Sequence, residues 1–209
     1  MIRAVIFDMG GVLMHTEASD RRLLAFDALL GWEPDTLRLR LYSGPAWEAV
    51  SKGELSLDAY WAATGQELEA ALPADFSGYR DNFYGAMLDM ATLHLAWRLR
   101  PRYHIGLLSN ATALLARDVV MEPLFRGLFD EAVISALEGY RKPEPEAFLI
   151  AARRLDLRPE ACVLVDDKER NILAAAAVGM QGVVYENALQ VERALREMGV
   201  ATMDKARRR

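Results

Sequence analysis

The chain carries polar residues suited to chemistry directly after short apolar runs. Four such runs are followed, at once or after a short loop, by a carboxylate, a hydroxyl, an amide or an ammonium group; these residues are Asp8, Ser109 and Asn110, Lys142, and Asp166 and Asp167. Short apolar runs of this kind are typical of strands buried on both faces of a parallel sheet. Because ligands bind at the carboxyl ends of such strands, we expect these side chains to meet at one edge of a sheet.

The chemistry that this set favours is phosphoryl transfer. Three carboxylates at one edge repel each other unless a cation lies among them, and all-oxygen ligands, with the Gly10 carbonyl as a further candidate, suit Mg²⁺. Lys142, Ser109 and the N-terminus of the helix beyond Asn110 suit a phosphate group. For Asp8 alone, a carboxylate that caps a turn is an equally good interpretation. The regular placement of the whole set at strand ends favours a site.

The pattern of the remaining chain predicts the elements that position these residues. From residue 91 onward, short strands alternate with helices, which predicts right-handed crossovers and a parallel sheet. Asn110 is expected to cap the helix after the second strand. Between residues 17 and 90 the spacing is helical, rich in aromatic residues and poor in strands. We therefore expect an α/β fold with a core formed by residues 1-16 and 91-209, and a helical cap formed by residues 17-90 over the carboxyl edge of the sheet.

Composition argues against several classes of protein. The net charge of −5 gives no support for nucleic acid or a membrane surface as a partner. No run approaches the ~20 apolar residues that cross a bilayer, and the first apolar run, interrupted by Asp8, lacks the pattern of a signal peptide. The single cysteine, Cys162, fits a reducing compartment and lies in an apolar run, where a core residue is expected rather than a nucleophile. We expect a soluble cytoplasmic protein.

The chain resembles hydrolases of the haloacid dehalogenase superfamily in four motifs. In order, these are Phe7-Asp8-Met9-Gly10-Gly11-Val12-Leu13, Leu107-Leu108-Ser109-Asn110, Arg141-Lys142-Pro143 and Val165-Asp166-Asp167-Lys168-Glu169-Arg170-Asn171. The resemblance covers essentially the whole chain and is to the members with a small helical cap after the first strand. It implies a Rossmann-like core with that cap.

The same resemblance implies a role for each carboxylate. Asp8 is expected to be the nucleophile, which attacks phosphorus and forms an aspartyl-phosphate that water then hydrolyses. Asp8, Asp167 and the Gly10 carbonyl are expected to bind Mg²⁺ directly. Asp166 is expected to act mainly through a metal-bound water and a contact to Lys142.

The remaining motif residues are expected to bind the phosphoryl group. By resemblance, Ser109 and Lys142 hold its oxygens, and Lys142 offsets charge in the transition state. The amides of Met9, Gly10 and Asn110 are expected to assist. Asn171 is expected to support the fourth motif rather than contact substrate, and Trp47 and Tyr84 are candidates for the lining of the pocket.

The sequence departs from the family pattern at Gly10. The family's phosphatases usually carry a second aspartate at this position, which protonates the leaving group and then activates water. Loss of a general acid typically costs about 10²–10⁴ in rate. A substitute acid from His15, Glu17 or the cap, a leaving group that needs no proton, and a protein with little or no activity are all open. His94 and His104 are expected to be structural.

The leading hypothesis is a Mg²⁺-dependent phosphatase that acts on a small phosphorylated metabolite, as a monomer or a homodimer. A 2-haloacid dehalogenase is the alternative that the missing acid suggests, since a halide leaves without a proton. Carbon–halogen cleavage in the family proceeds without a metal, so Asp166 and Asp167 favour the phosphatase. A non-catalytic protein that binds a phosphate ligand or a protein partner is the third hypothesis.

Overall fold

A computed structural model describes residues 1–15, 17–67 and 87–202 of the 209-residue chain. Its strands are β1 Ala4–Phe7, β2 Met14–His15, β3 Met87–Leu88, β4 His104–Ser109, β5 Glu131–Ile134, β6 Cys162–Asp166 and β7 Gln181–Val184. Five of them form one parallel sheet in the order β5-β4-β1-β6-β7, with β1 at its centre. The predicted α/β fold with a parallel, Rossmann-like sheet is confirmed.

Helices surround the sheet and connect its strands. In chain order they are α1 Glu17–Leu30, α2 Thr36–Tyr42, α3 Gly44–Ser51, α4 Leu57–Glu67, α5 Met90–Leu99, α6 Leu114–Met121, α7 Ser135–Glu138, α8 Pro145–Arg154, α9 Glu169–Ala177 and α10 Ala188–Glu197, with 3-10 turns at Pro123–Phe125 and Pro159–Ala161. In the described parts of the chain, no helix combines the length and the apolar character that a membrane crossing requires.

The central strand explains why the sheet is covered on both faces. Alternate side chains of a strand point to opposite faces, and in β1 all of them are buried. Val5 and Phe7 pack in one apolar cluster with α5, α6 and α10, whereas Ala4 and Ile6 pack in another with α8 and α9. The sheet is therefore the middle of three layers, and the ends of its strands are the places where the chain can present polar groups.

The helices α1–α4, called here the inserted helices, have apolar clusters of their own. One contains Leu23, Phe26, Leu37 and Leu41, and the other contains Trp47, Val50 and Tyr60. The stretch between β2 and β3, residues 16–86, is called here the inserted segment. The two strands that flank it pair antiparallel, with Met14 opposite Leu88. The pattern of residues 17–90 was expected to be poor in strands, and this two-residue ribbon was not predicted because so short a pair has no periodicity.

A buried polar network holds the second half of the ribbon to the sheet. The Asp89 amide donates to the Leu13 carbonyl (2.9 Å), and the Asp89 side chain caps α5 by accepting from the Thr92 amide (2.9 Å). Tyr185 follows β7, and its hydroxyl donates to the other Asp89 oxygen (2.8 Å). His15 Nε2 lies 3.5 Å from the same oxygen. Burial alone would raise the pKa of Asp89, but these donors hold it below its ordinary value.

The lowered pKa of Asp89 makes its contribution to stability pH-dependent. A carboxyl with a folded-state pKa below its unfolded one stabilises the fold above the unfolded pKa, ~3.9, and loses this contribution as the pH falls through the folded pKa. We expect Asp89→Ala to lower the free energy of unfolding by about 1–2 kcal/mol at pH 7, and by less below pH ~4. Urea unfolding across this range measures the gap between variant and wild type, and a gap that does not change with pH contradicts the assignment.

Candidate active site

The predicted site residues meet at the carboxyl edge of the sheet. Asp8 follows the central strand, Ser109 ends β4 and Asp166 ends β6. In the parallel register Phe7 lies opposite both Leu107 and Val165, so the residues that follow on neighbouring strands emerge side by side. Lys142 comes from the segment between β5 and α8 and reaches the same edge.

Lys142 lies between two carboxylates in the interior. Its Nζ atom is 2.9 Å from Asp8 Oδ1 and 2.6 Å from Asp166 Oδ2. Its side chain is only 1% exposed, and both carboxylates are buried as well. A buried ammonium is stable only where charges and hydrogen bonds compensate its desolvation, and here two carboxylates do so. This ion pair joins segments more than 130 residues apart in the chain.

Asp166 is held by donors on both of its oxygens. Oδ2 accepts from Lys142, and Oδ1 accepts from the Lys168 amide (2.9 Å) and from Asn171 Nδ2 (2.8 Å). Asn171, on the first turn of α9, is buried. The bond from Asn171 orients the carboxylate. With its oxygens already hydrogen-bonded, Asp166 has less capacity for a direct metal bond than Asp167 beside it.

Asn110 has a different role from the predicted helix cap. The helix after β4 begins only at Leu114, so Asn110 lies too far ahead of it to act as its cap. Instead the side chain of Asn110 makes two hydrogen bonds to the backbone of Lys142, one to its carbonyl (2.7 Å) and one from its amide (2.8 Å). The cap prediction was wrong because an Asn side chain satisfies a backbone donor and acceptor pair equally well at long range. The paired bonds fix Lys142 relative to β4.

Burial and neighbouring charges shift the pKa values of the acidic residues. Burial is the largest influence on the pKa of Asp8 and, with the Asp166 carboxylate, raises it to about 6 although Lys142 lowers it. Burial would also raise the pKa of Asp166, but Lys142 and Asn171 hold it below its ordinary value. Burial, together with the Asp166 carboxylate, raises the pKa of Asp167, although Lys168 and Lys142 lower it. Burial would lower the pKa of Lys142, but the carboxylates of Asp8 and Asp166 raise it. The ammonium therefore stays charged.

The acidic residues have the arrangement and chemistry of a divalent-cation site. One oxygen each from Asp8, Asp166 and Asp167 lies within 4.8 Å of the others, and three carboxylates against one buried lysine, Lys142, leave excess negative charge. Carboxylate oxygens are the ligands that Mg²⁺ prefers. Gly11 lies close against this cluster: a Cβ atom there would be 2.8 Å from Asp167 Oδ2, and its φ of +81° is one that glycine adopts without strain.

Other residues singled out from the sequence lie elsewhere or in other contacts. The Met9 amide donates to Asp8 Oδ1 (2.7 Å). Trp47 packs edge-on against Tyr42 and Tyr60, as a core residue of the inserted helices. The thiol of Cys162 is buried, which raises its pKa to about 11 and fits the predicted core role.

The three histidines and Glu17 lie in contacts away from the acidic cluster or outside the described side chains. His15 contacts Asp89, His104 lies 3.5 Å from Asp130, and His94 is exposed on α5. Glu17 is the first residue of α1, and its side chain lies outside the described part of the structure, as does Tyr84.

The fold and these motifs are those of a known hydrolase family. The family model described as haloacid dehalogenase-like hydrolase matches residues 2–179. The chain belongs to this family of hydrolases, as its four motifs predicted.

Individual relatives show how far the similarity extends. The chain is 26% identical over 204 residues to a sesquiterpene phosphatase of Aspergillus oryzae, which covers 94% of this chain and 96% of that protein. It is 27% identical over 197 residues to acyl-CoA dehydrogenase family member 10 of Mus musculus, over 87% of this chain but only 18% of the mouse protein. The chain thus spans less than a fifth of that relative.

A solved structure shares the fold. A haloacid dehalogenase family enzyme from Bacteroides thetaiotaomicron, in complex with magnesium and inorganic phosphate, has a TM-score of 0.70 at 19% identity, with 90% of this chain and 96% of that chain covered.

The buried ion pair predicts a large loss of stability when its cation is removed. Lys142→Met leaves two buried carboxylates without their ammonium, and we expect the free energy of unfolding to fall by about 3–5 kcal/mol at pH 7 in the presence of a chelator. Lys168→Met is the matched control, because Lys168 lies 3.9 Å from Asp167 and is half exposed. Its loss is expected to stay below about 1 kcal/mol. Equal losses in guanidinium unfolding contradict the role given to Lys142.

Proposed function

We propose that the protein is a Mg²⁺-dependent phosphatase that hydrolyses a small phosphorylated metabolite. The observation that carries this proposal is the Lys142 ammonium between Asp8 and Asp166, with Asp167 beside them, at the carboxyl edge of the sheet. The similarity to a phosphatase along nearly the full length of both chains supports the same class of reaction. Phosphoryl transfer needs a nucleophile, a positive clamp and charge neutralisation rather than elaborate covalent chemistry.

In the proposed mechanism Asp8 is the nucleophile. Its Oδ1 accepts from Met9 and Lys142, and these donors orient the carboxylate. Attack on phosphorus forms an aspartyl-phosphate, which water then hydrolyses. Lys142 and the Ser109 hydroxyl hold the phosphoryl oxygens. The backbone amides of Gly10, which follows Asp8, and of Asn110, which follows Ser109, assist in binding them. Lys142 is already charged and fixed, so it stabilises the developing charge without reorganisation.

The donor set fits Mg²⁺, and we assign its direct ligands to Asp8, Asp167 and the Gly10 carbonyl. Asp166 would act through a water molecule rather than as a direct ligand, because both of its oxygens already accept hydrogen bonds. When bound, the metal offsets the charge of the carboxylates and of the phosphoryl group. This assignment is supported by the raised pKa values of Asp8 and Asp167, because burial disfavours their charged forms even though Lys142 lies against Asp8 and Lys168 lies near Asp167.

We propose further that residues 17-90 form a cap over this site and residues 1-16 and 91-209 form the core. The ribbon of β2 and β3 marks the two crossings between them. We propose a small substrate because the proposed cap is small. Gly10 supplies no acid for the leaving group, so we expect substrates whose leaving group departs with little help from a proton, unless His15, Glu17 or a cap residue takes that role.

Hydrolysis of p-nitrophenyl phosphate tests the proposed reaction directly. The phenolate leaves readily, so the assay does not depend on an acid at position 10. We expect turnover by the wild type with Mg²⁺, and a loss on the order of 10³-fold or more in Asp8→Asn and on chelation. Asp20→Asn, an acid-to-amide change on α1 outside the site, is the control for folding. Turnover by Asp8→Asn contradicts the covalent mechanism, and hydrolysis of 2-chloropropionate without p-nitrophenyl phosphate turnover favours the dehalogenase.

Magnesium-dependent stability tests the ligands separately from turnover. At about 100 times its Kd, Mg²⁺ is expected to raise the wild-type Tm by about 5–10 °C, since binding to the folded state alone stabilises it. We expect a much smaller rise in Asp167→Ala. The rise should also shrink in Gly11→Ala, whose Cβ displaces Asp167. Gly199→Ala is matched to it, because Gly199 has φ +83° and open space around it. Equal shifts in all four proteins contradict the assigned ligands.

A further inference from the structure

The turn that follows α3 lies unusually close to the core. This turn, residues 52–54 and called here the Gly53 turn, belongs to the inserted segment. Gly53 has φ +73°, and a Cβ atom there would be 2.2 Å from the carbonyl oxygen of Ala136 in α7. Real Cβ atoms do not approach a carbonyl so closely, so the contact requires the absence of a side chain. The inserted helices thus rest on the backbone of α7 at this point.

Two charged contacts surround this backbone contact. Lys52 Nζ lies 2.7 Å from Glu144 Oε1, with both side chains partly buried. Arg141 Nη1 lies 3.8 Å from Oε1 of Glu48 on α3. Both pairs join the inserted segment to the core. Glu144 and Arg141 are two residues after and one residue before Lys142.

All three contacts fall on one stretch of the core. Residues 135–144, called here the lysine segment, carry Ala136, Arg141, Lys142 and Glu144. On its inner side the segment is tied to β4 through the paired bonds between Asn110 and the Lys142 backbone. On its outer side it meets the Gly53 turn and α3. The lysine of the site is therefore held between the sheet on one side and the inserted helices on the other.

We propose that Gly53, Lys52 and Glu144 are positioning residues that seat the inserted helices on the lysine segment and so set the distance between the cap and Lys142. This inference rests on the proposed function for its catalytic consequence, but the docking contact itself does not depend on it. Gly53 permits the close approach, and the Lys52–Glu144 pair selects the register. Displacement of a catalytic group by about 1 Å can cost on the order of 10²-fold in rate, so a small misfit at this contact reaches the chemistry.

Gly53→Ala separates docking from ordinary backbone strain. Gly31→Ala is the matched control, because Gly31 also lies in a turn between the inserted helices, has φ +68° and has no atom within 4 Å of an added Cβ. Both variants carry the same left-handed backbone cost, but only Gly53→Ala meets the core. We expect Gly53→Ala to lower kcat/KM for p-nitrophenyl phosphate by at least about tenfold, and to speed hydrogen exchange of amides 136–144 by a similar factor. Gly31→Ala is expected to change neither by more than about twofold.

Exchanging the charges of Lys52 and Glu144 tests their ion pair, because the double variant restores the pair with its charges reversed. Lys52→Glu and Glu144→Lys each place like charges together, and each is expected to lower kcat/KM by about two- to fivefold and to speed exchange in the lysine segment. The double variant restores the pair and should recover both. The pair of Asp35 and Arg38 within the inserted helices is the control, and its exchange should leave both measurements unchanged.

The outcomes separate this inference from the proposed function. If the wild type does not hydrolyse p-nitrophenyl phosphate, the phosphatase proposal fails, and hydrogen exchange still decides whether the Gly53 turn docks. If hydrolysis occurs but Gly53→Ala behaves as Gly31→Ala in both measurements, the positioning role is overturned. A fall in Tm alone, with kcat/KM unchanged, shows a structural contact only and also overturns it.

Discussion

The contact of Lys142 with Asp8 and Asp166 is the interaction on which the remaining site depends. Each of these charged groups is almost completely buried, so each would destabilise the fold strongly without the compensating charge of the others. Their meeting requires the sheet order, because Asp8 follows β1 and Asp166 ends its neighbour β6. It also requires Asn110, which fixes the backbone of Lys142 from β4. The ion pair thus couples the central strands to the segment between β5 and α8.

One ammonium does not balance the charge that the strand ends bring together. Asp8 and Asp167 both have raised pKa values, which means that their ionised forms are costly in this environment. A phosphate monoester that approached these carboxylates without a cation would meet net repulsion despite Lys142. The same burial strengthens every attraction inside the site once a cation is bound, since the effective dielectric constant is low. In the proposed function, phosphate binding and cation binding would therefore be interdependent, which is the physical basis of the proposed Mg²⁺ dependence.

The sequence predicted the site because its placement follows from local pattern. Short apolar runs identify buried strands, and parallel strands end at a shared edge. Asp8, Ser109 and Asp166 could therefore be placed together from the sequence alone. Contacts between segments far apart in the chain have no such signal. The Asn110 side chain could cap the next helix or bond to a distant backbone, and the sequence pattern favoured the cap. In the structure it bonds to the backbone of Lys142. The bond between Asp89 and Tyr185 spans 96 residues, and the approach of Gly53 to Ala136 depends on how α3 packs rather than on any motif.

The two glycines after Asp8 have opposite consequences for the chemistry. Gly11 is tied into the loop by a bond from its amide to the Met14 carbonyl (2.8 Å), and Asp167 occupies the space where its side chain would be. Glycine is thus favoured at position 11 by its φ of +81° and by the neighbouring carboxylate, which a side chain there would displace. At position 10 glycine offers no proton donor beside a cluster of three carboxylates, and one of these, Asp8, the proposed nucleophile, has a pKa raised to about 6. In the proposed mechanism the leaving group must then carry away its own negative charge or take a proton from another acid. The basicity of the leaving group, more than its shape, would therefore limit which phosphate esters are cleaved.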